Sequence, residues 1–183
     1  MSKLDDRSSG TRGAEPRAGE ALPFAADTGP LIALAQVERL QLLPRLLGVG
    51  VIPPAVHREV QVESGRPGAR RIGEALSEGW FRIAALAGDA PLAELQREVD
   101  AGEAEAIGLC LERQARLLLI DDAKGRKVAR RAGVPLVGVA GILLAAKSSG
   151  LLVAVSPVLG DLAAIGYRLS RQLLDDVRRR ASE

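Results

Sequence analysis

Four consecutive apolar residues, Leu117 to Ile120, run without a polar break and stop at the pair Asp121-Asp122. A strand with one face in water alternates apolar and polar side chains. An unbroken run this short instead suits a strand covered on both faces, as in parallel sheets packed between helices. Leu22 to Ala26 is a second such run and stops at Asp27; Val49 to Ile52 and Leu136 to Val139 are others, and Trp80 to Ala84 reads as an edge strand. Helical spacing fills the intervals. One helix is expected from Pro30, a residue suited to the first helical position, to about Leu47, and Pro53-Pro54 opens another that holds Val56, Glu59 and Val60. Further helices are expected over Ala69 to Ser77, Asp89 to about Val99, and from Asp100 onward. A basic helix spans Ala123 to Ala132 and is closed by Gly133, the next runs to about Lys147, and two more lie between Ser156 and Arg180. Short strands alternating with helices imply an α/β fold around a mainly parallel sheet.

The chain's 183 residues, 47% of them hydrophobic, suffice for one domain with a real core, expected over residues 22–183. Residues 1–21 lack periodicity and read as a disordered tail. One Cys and one His exclude an internal disulfide, a cysteine zinc cluster and multi-histidine metal motifs. An aromatic content of 2% argues against a base-stacking platform. No run is long and apolar enough for an export signal or a membrane helix, so a cytoplasmic protein is expected. Balanced charge, 25 basic against 23 acidic residues, neither demands nor forbids nucleic acid.

The placement of the acids says more than their number. Ligands of open parallel sheets bind outside the carboxyl ends of the strands, where Asp27, Asp121 and Asp122 fall. Glu59 borders the apolar face of its helix, and Glu103 shares a face with Ile107, whereas Glu105 and Glu112 fall on the side expected to face solvent. Carboxylates that converge repel one another unless a cation relieves them, and hard oxygen donors without His or Cys suit Mg²⁺ or Mn²⁺. Lys124, Arg126, Lys127, Arg130 and Arg131 follow directly, and metal ligands beside phosphate-binding cations are what phosphodiester hydrolysis requires.

Plainer roles are open for each residue taken singly. Asp27 or Thr28 fits a cap for the helix behind Pro30, Asp100 with Glu103 fits a capping box, and Asp122 fits a cap for the basic helix. The basic run fits a solvated face, and Glu59 a surface residue. Asp27-Thr28-Gly29 also matches the aspartic-protease triplet, but those enzymes are all-β. No phosphate-binding loop or dinucleotide glycine fingerprint is present.

Several segments together resemble the PIN-domain family: Ala26 to Leu34, Val51 to Val56 with Glu59, Asp100 to Ile107, Leu118 to Asp122 with Gly125-Arg126, and Gly133 to Leu144. The chain is similar to the VapC-type toxins of bacteria and archaea over about Phe24 to Val177. The resemblance implies a three-layer α/β/α sandwich and a divalent-metal ribonuclease site, with Mg²⁺ or Mn²⁺ as cofactor and RNA as substrate. By motif the acids map to Asp27, Glu59, Glu103 and Asp122, with Asp121 beside the last. Thr28 supplies a hydroxyl, and Lys124 and Arg126 supply cations for substrate. The third acid is commonly Asp in the toxins and is Glu103 here. The resemblance further implies an antitoxin partner and a homodimer. The alternative is a non-catalytic module that keeps the fold for RNA or protein binding. The C-terminal helices and the tail exceed a minimal toxin.

Overall fold

A computed structural model describes residues 23–61, 67–88 and 90–183. The expected tail, part of the glycine- and proline-rich stretch before Ala69, and Asp89 as a helix start lie outside the described residues. The short apolar runs form five strands: β1 (Phe24–Ala26), β2 (Gly50–Ile52), β3 (Phe81–Ile83), β4 (Leu118–Leu119) and β5 (Leu136–Val137). All pair in parallel in the order β3-β2-β1-β4-β5, with β3 and β5 at the edges. Among the described residues ten helices connect and flank them: α1 (Thr28–Gln36), α2 (Leu42–Leu47), α3 (Pro54–Val60), α4 (Ala69–Ser77), α5 (Ala90–Leu95), α6 (Ala101–Arg113), α7 (Ala123–Arg131), α8 (Val139–Ser148), α9 (Ser156–Ala164) and α10 (Arg171–Ala181).

Successive strand residues point to opposite faces, and this alternation builds two cores. Phe24, Ala26, Ile52, Phe81 and Leu119 face one side, where α1, α2, α4, α8, α9 and α10 cover them. Ala25, Val51, Leu118 and Ile120 face the other, under α5, α6 and α7. Continuous apolar runs are therefore needed because both faces of the sheet are buried, and the result is a three-layer α/β/α sandwich. None of the helices among the described residues is long and apolar enough to cross a membrane.

The chain departs from the sequence expectation after Gln36. The single helix to Leu47 is instead two, because Glu38 adopts a left-handed conformation at φ 57°. Glu38 N–H donates to the Ala35 carbonyl at 3.3 Å and Arg39 N–H to the Leu34 carbonyl at 2.8 Å, which closes α1 as a Schellman turn. A helix end normally advertises this turn with glycine. Here a glutamate takes the position, tied to Arg71 by a 2.6 Å ion pair.

The first core is tightest at Gly50, which lies in register between Phe24 and Phe81. Those rings meet edge to face at 6.1 Å, and a Cβ on Gly50 would stand 2.8 Å from Phe81 and closer still to Phe24. Gly50→Ala should therefore overpack the sheet and destabilise the chain by about 1–3 kcal/mol, read as a lower urea midpoint. An unchanged midpoint would mean that the rings yield freely.

Candidate active site at the carboxyl edge of the sheet

Strands β2 and β3 lie on one side of β1, and β4 and β5 on the other, so the chain switches direction between β1 and β4. Open α/β sheets bind ligands in the crevice at such a switch point. Asp27 leaves β1 there, its N–H still paired to the Leu119 carbonyl at 2.9 Å. Asp121 and Asp122 follow β4. Helix α3 delivers Glu59, and the first turn of α6 delivers Glu103.

Asp27 and Glu103, at 8% and 5% exposure, are the only buried charged residues among those described. Asp27 sits at the N-cap of α1, but its side chain makes no capping hydrogen bond. Burial pushes its pKa up to about 6, and the charges of Asp100 and Glu59 push the same way against the Thr28 and Gly29 N–H groups. Burial likewise raises Glu103 to about 7, with Asp100, Asp122 and Asp27 adding repulsion. Glu59 is exposed; it accepts a 2.6 Å hydrogen bond from Thr28 Oγ1 and thereby ties α3 to α1 beside Asp27.

The capping roles of Asp100 and Asp122 are real and coexist with the cluster. Asp100 Oδ1 accepts from Glu103 N–H at 2.9 Å, while Glu103 turns its carboxyl inward. Asp122 Oδ1 accepts from Lys124 N–H at 2.7 Å and Gly125 N–H at 2.9 Å. These donors, with Gly125 the strongest, hold Asp122 below the usual carboxylate range. Missing side chains make the room. A Cβ on Gly125 would lie 2.5 Å from Glu103 Oε1, and one on Gly102 would lie 2.9 Å from both Glu59 oxygens.

The structure thus brings Asp27, Thr28, Glu59, Glu103 and Asp122 together and adds Asp100, which sequence reasoning treated only as a cap. Asp121 has partners of its own. Asp121 Oδ2 accepts from Val139 N–H at 2.9 Å and from Tyr167 Oη–H at 2.5 Å, and burial together with this carboxylate raises the tyrosine's pKa. Tyr167 was not anticipated. It follows Gly166, which at φ 80° ends α9 in a left-handed turn that glycine takes without steric cost. The basic helix divides its labour too. Arg126 Nη1 donates to the Ile120 carbonyl at 2.7 Å, Arg131 pairs with Glu98, and Lys124 is exposed. Both Glu105 and Glu112, expected in solvent, hold backbone; Glu112 is exposed as expected, whereas Glu105 is half-buried. Glu105 accepts from Ala55 N–H at 2.8 Å in the first turn of α3, and Glu112 accepts from Ala87 N–H at 2.6 Å.

Every donor around Asp27 and Glu103 is a carboxylate or hydroxyl oxygen, the set that hard divalent cations prefer. Among the described residues no three acidic, His or Cys side chains stand close enough to ligate one ion directly. The mutual repulsion recorded in the raised carboxyls is what a cation would remove. The donor chemistry therefore fits a divalent metal.

A family model described as a PIN domain matches residues 23–183, and the chain belongs to that family. No curated protein and no solved structure matches it. PIN domains are a nuclease-type fold, and PIN nucleases generally use divalent metals.

Asp27 and Glu103 hold their protons more tightly folded than unfolded. Between the ordinary carboxylate range and about pH 7 the folded state therefore binds more protons, and stability must fall as pH rises through that window. In chelator, the melting temperature should drop between about pH 5 and about pH 8, and Asp27→Asn should flatten the drop. A profile as steep in the mutant as in the parent would contradict this assignment.

Proposed function

We propose that the chain is a Mg²⁺- or Mn²⁺-dependent endoribonuclease. The observation that carries the reading is the pair of buried carboxylates, Asp27 and Glu103, packed among Glu59, Asp100 and Asp122 at the switch point of the sheet. Asp27 and Glu103 would hold the cation directly, with Asp122 reaching it through bound water. A bound divalent ion lowers the pKa of water and offsets charge on a phosphoryl oxygen. Asp121, braced by Tyr167 and the first turn of α8, keeps the loop after β4 in place. Glu59 is exposed and oriented by Thr28, so it can accept a proton from an incoming water. Lys124 and Arg126, at the start of α7, meet the phosphate with charge-assisted hydrogen bonds. The shortage of aromatic residues favours recognition through backbone phosphates over base stacking. The biological setting this reading favours is the toxin of a toxin–antitoxin pair, acting as a homodimer and held in check by a small protein partner.

Single-stranded RNA incubated with Mn²⁺ should be cut, and chelator should stop the reaction. Asp27→Asn should lower the rate by on the order of a hundred-fold or more, in line with the several kcal/mol a catalytic metal supplies. Cleavage at the parent rate by a folded Asp27→Asn chain would sink the reading. RNA binding without Mn²⁺ uptake would favour a non-catalytic module, and cleavage of DNA alone would change the substrate.

A further inference from the structure

Beside the acid cluster, the C-terminal helices leave a cavity of about 540 Å³, within the roughly 300–1,000 Å³ typical of ligand sites. Edge strand β5 and the first turn of α8 form one wall, and α10 with the segment before it forms the other. Arg126, Arg168 and Arg180 all line it, as does Asp121. Three guanidinium groups around one concavity exceed what a single carboxylate balances, and Asp121 already accepts from Val139 and Tyr167. Arg168 and Arg180 are exposed. Arg168 has no ion-pair partner among the described residues, and Arg180 reaches Asp176 only at 3.9 Å. Arg126, fixed by the Ile120 carbonyl, stands where the cavity meets the end of β4.

We propose that this cavity receives the nucleotide next to the scissile phosphate of a single-stranded RNA, with Arg168 and Arg180 on its phosphate. The proposal rests on the ribonuclease reading and extends it to the path of the substrate. Position supports it: Asp121 lines the cavity, and the adjoining residue Asp122 belongs to the acid cluster, so a strand leaving the cluster over β4 enters the cavity directly. Charge supports it as well. An edge lined with carboxylates repels a phosphate backbone, so affinity must come from cations beside it, and the fork of arginine matches phosphate oxygens in pairs. Between the arginines the lining is aliphatic, with Leu136, Leu144 and Leu173. That surface takes a base face without selecting among bases.

Binding of a short fluorescein-labelled oligouridine to the full chain, followed by anisotropy in chelator, separates this site from catalysis. The Arg168→Gln/Arg180→Gln double variant should weaken binding by about ten-fold or more, as expected for lost hydrogen bonds between charged groups. It should also flatten the slope of log affinity against log salt by about 0.7, since both arginines meet one phosphate and each phosphate neutralised on a single strand contributes about 0.7. Leu173→Glu, which puts negative charge into the same cavity, should weaken binding too. Arg116→Gln, at the opposite end of β4, should change neither affinity nor slope. Unchanged affinity and slope in the double variant would overturn the proposal even if the parent chain cleaves RNA. Arginine-dependent binding by a chain that does not cleave would uphold the cavity and reject only the nuclease. Equal displacement of the RNA by a polyglutamate peptide would assign the cavity to an acidic protein and overturn the RNA assignment.

Discussion

Two carboxylates buried among other carboxylates are an unfavourable arrangement, and the geometry of this chain is organised around it. Burying a charge that lacks a partner carries a large desolvation penalty, which a protein normally escapes by protonation or pairing. Asp27 and Glu103 take the first route in the free chain, with pKa values raised to about 6 and about 7. At neutral pH such a site is poised between holding protons and holding a cation. Asp122 differs although it adjoins the same cluster, because the first turn of α7 already supplies N–H donors to its carboxylate.

The scaffold makes the arrangement possible by placing rigid elements at one edge. The reversal of strand order brings the ends of β1 and β4 together, while α3 and α6 close over them. Glycine shapes the interior of the site: Gly125 leaves room for Glu103, and Gly102 for Glu59. Glu105 bonds the first turn of α3 from α6, so the helix that carries Glu59 is fixed from the helix that carries Glu103. The C-terminal helices belong to this architecture as well. Tyr167 joins them to Asp121, and Glu183 accepts from Lys147 and from the Val155 and Ser156 N–H groups at the start of α9.

Much of this was legible in the residues themselves. Unbroken apolar runs that end in acids locate the parallel strands and their carboxyl ends, and Asp27 and Asp122 follow from that pattern, while Glu103 follows from the helical face it shares with Ile107. What escaped depends on contacts between distant segments. Asp100 has an obvious local role as a cap, and nothing in its neighbours shows that its charge also reaches Asp27 and Glu103. Glu105 occupies a position that helical periodicity assigns to water, because the pattern within one helix does not show the backbone of another beside it. The break after α1 was hidden because Glu38, not glycine, takes the left-handed position. Tyr167 lies 46 residues from Asp121, and only the turn at Gly166 brings them together.

The poised state of the acid cluster is most directly tested by calorimetry of Mn²⁺ binding to the metal-free chain in buffers of different ionisation enthalpy. A cation that replaces protons on Asp27 and Glu103 should release about one proton per ion near pH 6.5, and almost none near pH 8.5, where both are already ionised. Failure to bind Mn²⁺, or binding with the same proton release at both pH values, would contradict a cation site built on these two carboxylates.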